Sequence, residues 1–83
     1  MKEKEIGVVS TYFSHVGVAA IKLSGKLSVG DKIHLKGNTT DFEQKVESMQ
    51  VENKVIKTAK AKDHIGIKVE DKVRPHDKVL LVE

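Results

Sequence analysis

The sequence predicts an all-β fold, a small closed β-barrel of six short and mainly antiparallel strands. Three observations support this fold class. Apolar and polar residues alternate with the period of two that is typical of half-buried strands, as in residues 64–69. Turn-forming residues separate the apolar segments, and no segment keeps a helical period for more than about three turns. Because 83 residues can build one compact core, we expect a single domain over residues 1–83.

Each of the six segments carries its own signal. The first is rich in β-branched and aromatic residues, and the second is apolar on both parities, as expected for a strand covered on both faces. The third, fifth and sixth alternate, which predicts that Ile33, Ile65 and Val79 point into the core. The fourth changes parity near Glu47 and Ser48, which predicts a bulge at a barrel corner. The predicted strands are residues 6–13, 16–25, 31–37, 42–51, 64–69 and 77–82.

Gly25, Gly30 and Asp31 mark a structural turn between the second and third strands. We expect Gly30 to supply the positive φ that a tight turn needs, and the Asp31 carboxylate to bond back to the turn backbone. Pro75 suits the last loop, because its φ is fixed and it has no N–H to donate. An Asp-Lys pair followed by a β-branched residue occurs at residues 31–33 and again at 77–79, which favours two strands that begin in the same way.

Composition excludes several classes of protein. The chain contains no cysteine, which excludes a disulfide scaffold, a thiolate zinc site and cysteine catalysis. The N-terminal residues alternate in charge and lack the apolar run of a secretory signal, and no apolar run approaches the roughly 20 residues of a spanning helix. We therefore expect a cytoplasmic protein with no membrane partner.

The sequence contains no motif for catalysis or for a cofactor. The phosphate-binding pattern Gly-x-x-x-x-Gly-Lys-Ser/Thr is absent, so nucleotide hydrolysis by this chain is not expected. The histidines lack the spacing that would place two metal ligands on one element. They are His15, His34, His64 and His76. We therefore predict no catalytic residues, no metal site and no cofactor, and a protein that is not an enzyme.

Basic residues exceed acidic residues by 15 to 12, a formal net charge of +3 that favours polyanions weakly. Residues 54–62 contain four lysines and no acid. Two interpretations of this stretch stay open. It is a solvated strand edge, where lysines prevent edge-to-edge aggregation, or it is a polyanion-binding face that includes Lys57, Lys60 and Lys62.

Successive motifs along the chain resemble the second domain of the translational GTPases, such as elongation factor Tu. The motifs are Gly17-Val18-Ala19-Ala20-Ile21, Gly25-Lys26-Leu27, Val29-Gly30-Asp31-Lys32-Ile33 and residues 59–67. The resemblance implies the six-stranded β-barrel of that domain without the GTPase itself. A similar barrel ends the collagenase-like peptidases, some of which act in RNA modification. The family commonly has Gly before the Asp at two later turns, where this chain has Lys62 and His76.

The translation-factor resemblance also implies a pocket for the aminoacylated end of tRNA. By position, the pocket corresponds to residues 12–17 in the first hairpin loop and 63–66 at the start of the fifth strand. Aromatic side chains there would stack on an unpaired base, and basic side chains would contact phosphates. The alternative is that Tyr12 or Phe13 belongs to the core. The predicted RNA-binding residues, including the lysine stretch, are Tyr12, Phe13, His15, Lys22, Lys57, Lys60, Lys62 and His64.

Two functions are therefore expected at this point. The first is a non-enzymatic RNA-binding module of translation or RNA modification, with tRNA or ribosomal RNA as its partner. The second is a protein-interaction module that docks onto a GTPase or an RNA-modifying enzyme. A contiguous basic patch would favour the first, and an exposed apolar patch of about several hundred Å² would favour the second.

Overall fold

The computed structural model describes residues 3–52 and 54–82, and the secondary structure of these residues consists of strands joined by turns. No helix among them is long and apolar enough to cross a membrane. The strands are β1 (Glu3–Phe13), β2 (Val18–Leu23), β3 (Leu27–Ser28), β4 (Lys32–Lys36), β5 (Asp41–Lys45), β6 (Met49–Val51), β7 (Lys54–Ile56), β8 (Thr58–Ala59), β9 (His64–Lys68) and β10 (Lys78–Val82).

The predicted all-β class is confirmed, but the number of strands differs from the prediction. The predicted fourth strand is split into β5 and β6 at residues 46–48, where the change of parity indicated a bend. Three short strands, β3, β7 and β8, lie in segments without a clear alternation. Strands of two or three residues are too short for a period of two to be recognised.

Eight strands form one sheet in the order β5-β4-β10-β1-β2-β9-β6-β7, and β3 pairs with β8 in a second, small sheet. All the pairings in both sheets are antiparallel. The prediction of a closed barrel is not confirmed, because the ladders of the described residues leave β5 and β7 at the two ends of the large sheet. The ladder between the last and first strands that a closed barrel requires is missing from this order.

The side chain of Gln44 connects β5 to the segment that follows β9. This buried side chain donates from Nε2 to the carbonyl of Lys68 and accepts at Oε1 from the N–H of Glu70, each at 2.8 Å. The two bonds satisfy both ends of the amide, as a polar group in the interior requires. One side chain therefore bonds β5 to the end of β9, two strands that no backbone ladder of the described residues joins.

The core is built from the inward-facing residues of the alternating strands. Ile33, Ile65 and Val79 are at most 2% exposed, as their parity predicted. On β1 the register shifts twice, between Glu5 and Gly7 and between Val9 and Thr11. Such bulges bend a strand, and here residues 3–8 of β1 pair with β10 and residues 7–13 pair with β2.

Three turns share one geometry, in which the fourth residue is an aspartate and the third has a positive φ. We call them the Asp-capped turns; they are residues 28–31, 60–63 and 74–77. In each, the aspartate N–H donates to the carbonyl of the first residue at 3.1 Å. The aspartate Oδ2 accepts from the N–H of the first residue at 2.8–3.1 Å. The third residues are Gly30 (φ 98°), Lys62 (φ 76°) and His76 (φ 76°).

The Asp-capped turns confirm the predicted roles of Gly30 and Asp31. They also show that Lys62 and His76 adopt the left-handed conformation where glycine was expected. A positive φ at the third position is the signature of a type II turn, which favours Gly there and accepts Pro at the second position, as at Pro75. The aspartate bonds hold this geometry even where a β-carbon makes it costly. Gly25 lies in the connection between β2 and β3, where its N–H donates to the carbonyl of Ile6 at 3.2 Å.

Gly30→Val is expected to lower the free energy of unfolding by about 2 kcal/mol, because an L-residue pays roughly 1–2 kcal/mol for left-handed backbone and a β-branched one pays more. For a domain of this size that corresponds to a melting temperature lower by roughly 8–16 °C. Thermal unfolding followed by circular dichroism measures the shift. Lys62→Gly is the matched reverse change at an equivalent turn, and it should raise the midpoint. An unchanged midpoint in Gly30→Val would contradict the assigned turn geometry.

Candidate functional site

The structure divides the predicted RNA-binding residues between the two ends of β2. Tyr12, Phe13 and His15 lie at the β1–β2 hairpin, where Phe13 pairs with Val18. Tyr12 packs against the core, as the alternative interpretation predicted, whereas Phe13 is 43% exposed. The hairpin end of β2 faces the end of β9, with Val18 opposite Lys68.

The remaining predicted residues on β2 and β9 lie at the opposite end of this pair of strands. Lys22 is opposite His64, and the N–H of Lys62 donates to the carbonyl of Leu23 at 2.9 Å. The four residue steps from Val18 to Lys22 span about 13 Å of strand. The structure therefore does not combine the aromatic residues and these basic residues into one pocket.

Lys57 and Lys60 are exposed and lie on the segment that runs from β7 to β9. The carbonyl of Lys57 accepts from the N–H of Val29 at 2.8 Å, and the N–H of Lys60 donates to Asp63. Strand β7, which begins the lysine stretch, is at the end of the large sheet. This position is the one that the edge interpretation of the stretch requires.

A line of basic residues crosses five neighbouring strands of the large sheet. Lys36 on β4 is opposite Lys78 on β10, and Lys22 on β2 is opposite His64 on β9. Val8 on β1 is opposite both Lys78 and Lys22, and so joins the two pairs. We call Lys36, Lys78, Lys22 and His64 the basic row. Because adjacent strands are about 4.8 Å apart, the row spans about 19 Å.

The basic row lies on the outer face of the sheet, and all four of its side chains belong to exposed residues. Each flanks a buried apolar residue of its strand, so alternation directs it away from the core. Of the four residues of the basic row, only Lys78 forms an ion pair within the described part of the chain, with its Nζ 3.6 Å from Glu5 Oε1. Both partners of that pair are more than half exposed, so it contributes little to stability.

A cleft of about 660 Å³ opens at the Lys36 end of the row. Its walls are the turn after β4 and the Asp-capped turn at residues 74–77, and we call it the end cleft. Its basic residues are Lys36, Lys78 and Arg74. It also contains the apolar surfaces of Pro75 and Leu80. Its acids are Glu5 and Asp77, of which Asp77 is buried and accepts from the N–H of Arg74 at 2.8 Å.

Sequence reasoning identified Lys22 and His64 but not Lys36 or Lys78. The alternation along each strand showed that these lysines face outward. Only the antiparallel register of β4, β10, β1 and β2 places them beside one another. The pairing of β10 with β4 joins residues more than 40 positions apart, and no local pattern specifies it.

His34, at the centre of β4, is surrounded by carboxylates from two other strands. Its Nδ1 lies 2.6 Å from Glu3 Oε2, and its Nε2 lies 2.5 Å from Asp41 Oδ1. Glu43 is its cross-strand neighbour on β5 and is bound by Lys32 at 2.9 Å. Glu3, His34 and Glu43 offer potential metal-ligand atoms within 4.8 Å of one another, a grouping that sequence spacing did not reveal because it unites three strands. Both ring nitrogens are, however, already bonded to carboxylates, an arrangement that favours the protonated imidazolium form.

The carboxylates determine the protonation of His34. The hydrogen bond with Asp41 raises the pKa of the imidazole, burial acts to lower it, and the bond with Glu3 raises it further, so that the pKa is raised overall from 6.5. A raised pKa means that the folded chain binds the proton more tightly than the unfolded chain. The resulting stabilisation is complete below pH 6.5 and is lost as the pH rises through the folded-state pKa.

His34→Gln is therefore expected to cost more stability at pH 6 than at pH 9, because only the protonated imidazole gains from both carboxylates. Urea denaturation of both proteins across this range measures the difference. His64→Gln is the matched control, since His64 is an exposed strand residue outside the ion pairs of the described region. A difference between wild type and His34→Gln that is independent of pH would contradict the imidazolium assignment.

The fold is that of a domain found in a known class of peptidase. It matches the C-terminal domain of a Geobacillus thermoleovorans protein assigned to the U32 peptidases, with a TM-score of 0.90 over 96% of this chain and 93% of that chain at 19% identity. The selenomethionine variant of the same domain gives a TM-score of 0.87 over 92% of this chain and 96% of that chain at 20% identity. At these identities the match establishes the fold alone.

Sequence relatives carry the comparison further. An uncharacterized protease of Methanocaldococcus jannaschii is 39% identical over 80 residues, which are 95% of this chain and 20% of that protein. A collagenase of Porphyromonas gingivalis is 41% identical over 76 residues, which are 89% of this chain and 21% of that protein. No protein-family model matches the chain. The chain is thus similar to one part of a protease and of a collagenase, and it spans about a fifth of the length of these relatives.

The comparisons correct one of the two resemblances in the sequence. The similarity to the C-terminal domain of collagenase-like peptidases is confirmed, whereas the closed barrel is not. The assignment to translation, as an elongation factor-like RNA-binding protein, is wrong, since the relatives are named as proteases and collagenases. These names do not test whether tRNA or ribosomal RNA binds to the chain. The motifs quoted above follow strand starts and turns, so they report the fold and not the ligand of a particular family.

Proposed function

We propose that this chain is a non-catalytic accessory domain of a collagenase-like peptidase and that it binds polypeptide. The observation that carries the proposal is the alignment of 89–95% of the chain with about a fifth of two larger proteins, one named as a protease and the other as a collagenase. A proteolytic enzyme has polypeptide substrates, and an additional domain that binds them raises their local concentration at the catalytic part.

The arrangement of ionisable groups supports a binding role. Catalysis by acid and base needs a titratable group with a free position facing a substrate. His34 has both ring nitrogens engaged by carboxylates, so it offers no such free position. The end cleft, by contrast, presents exposed cations, turn backbone and apolar surface, which suit recognition of an extended peptide.

Binding to polypeptide is tested with the whole chain immobilised on a biosensor surface. Denatured collagen and a second disordered polypeptide serve as ligands, and native folded albumin serves as the comparison. We expect saturable binding of the disordered ligands and no release of fragments when the chain is incubated with labelled denatured collagen. Cleavage of that substrate by the chain alone would show that it is an enzyme. Absence of binding to both disordered ligands would overturn the proposed function.

A further inference from the structure

We infer that the basic row and the end cleft together bind an acidic segment of polypeptide, a specificity that rests on the proposed polypeptide-binding function. The arrangement of charge along the row favours a bound anion. Lys36 and Lys78 are directly opposite one another on adjacent strands, and like charges in that position destabilise a sheet. A bound carboxylate between them would convert this repulsion into attraction.

The neighbouring acids leave Lys36 available to bind an incoming carboxylate. Asp41 is its cross-strand partner on β5, but the Asp41 carboxylate is bonded to His34. Glu5 lies beside Lys78 at 3.6 Å, a pair that an incoming carboxylate can replace at little cost because both side chains are exposed. Among the described residues, Lys36, Lys22 and Arg74 take part in no ion pair.

The side chains around the row favour polypeptide over nucleic acid as the bound anion. Proteins that bind single-stranded nucleic acid combine a basic groove with aromatic side chains on which bases stack. Here Tyr12 and Phe13 are at the far end of β2 from Lys22, and Val8 is the residue that interrupts the row. A line of cations next to the apolar surfaces of Pro75 and Leu80 suits a polypeptide, which offers carboxylates about 7 Å apart on alternate residues of an extended segment.

The test is a fluorescence anisotropy titration of the whole chain with labelled peptides of about twelve residues. One peptide alternates Glu with Ser, a second has Gln in place of every Glu, and an RNA hairpin of similar charge is the third probe. We expect the Glu peptide to bind, the Gln peptide to bind at least about tenfold more weakly, and added salt to weaken the Glu complex. Lys36→Gln and Lys22→Gln should each weaken binding of the Glu peptide by about twofold to fivefold, as expected for exposed ion pairs.

Lys45→Gln is the matched control. Lys45 is exposed on β5, and it is opposite Lys32, four positions along β4 from Lys36 and outside the row. It removes the same charge and should leave the affinity unchanged. Lys36→Gln should not lower the melting temperature, since it removes a repulsion, so lost binding cannot be attributed to unfolding.

Each other outcome has a distinct meaning. If Lys36→Gln and Lys45→Gln weaken binding of the Glu peptide equally, binding depends on net charge alone, and the inference is overturned. Preference for the RNA hairpin over the Glu peptide would overturn the assignment of the ligand to polypeptide. Binding of denatured collagen that is unaffected by Lys36→Gln and Lys22→Gln would overturn the acidic specificity while leaving the proposed function intact. Absence of binding to every polypeptide would overturn both.

Discussion

Replacing Leu35 with alanine is expected to lower the free energy of unfolding by about 2–5 kcal/mol, the range observed when a buried leucine is truncated. Leu35 is fully buried on β4, and its neighbours across the strands are Val79 on β10 and Phe42 on β5. A domain of this size buries only about 60% of the surface of its unfolded chain, so its total stability is small. We therefore expect Leu35→Ala to be largely unfolded at 37 °C.

Urea denaturation followed by circular dichroism measures this loss, and Val55→Ala is the matched control. Val55 is an apolar strand residue that is 72% exposed, so its truncation should change the free energy of unfolding by no more than about 0.5 kcal/mol. Similar losses for the two variants would mean that β4 is not at the centre of the core.

Replacing Gly37 with alanine is expected to destabilise the fold by about 2–3 kcal/mol, through a single contact. A β-carbon at position 37 would clash with Oδ1 of Asp77. Asp77 cannot move freely, since it is buried and its Oδ2 accepts from the N–H of Arg74. Displacing it adds the cost of an unsatisfied N–H to that of overpacking.

A double-mutant cycle isolates this contact. Asp77→Ala removes the obstructing carboxylate, so Gly37→Ala should cost much less in that background than in the wild type, and the two changes should be clearly non-additive. The unfolding free energies of the four proteins, from urea denaturation at one pH, provide the coupling. Additive losses would show that the turn after β4 does not pack against Asp77, and the described shape of the end cleft would then be wrong.

Several features of the fold were predicted from sequence because they depend on neighbouring residues. Alternation identified Ile33, Ile65 and Val79 as buried, and the parity change near residue 47 located the break between β5 and β6. The turn at Gly30 and Asp31 followed from the backbone freedom of glycine and the short side chain of aspartate. Lys62 and His76 were harder to interpret, because hydrogen bonds accepted by Asp63 and Asp77 within the same turns hold them in a conformation that their own preferences oppose.

The candidate site was predicted only in part. Lys22 and His64 were selected through a resemblance to translation factors. They lie in the basic row because β2 pairs with β9, which the resemblance did not predict. Tyr12 and Phe13 were selected with them, but the length of β2 separates the two groups. A motif carried over by position preserves strand order, whereas ligand specificity depends on which side chains the sheet brings together.

The sequence by itself determined the all-β class, the faces of the main strands and the turn at Gly30. These properties follow from the period of two along a strand and from the steric limits of single residues, which act over a few positions. Tertiary structure decided the order of the strands, the open ends of the sheet, the imidazolium of His34 and the alignment of Lys36, Lys78, Lys22 and His64. Those features depend on register between distant segments, and a shift of one residue would turn every side chain of a strand to its other face.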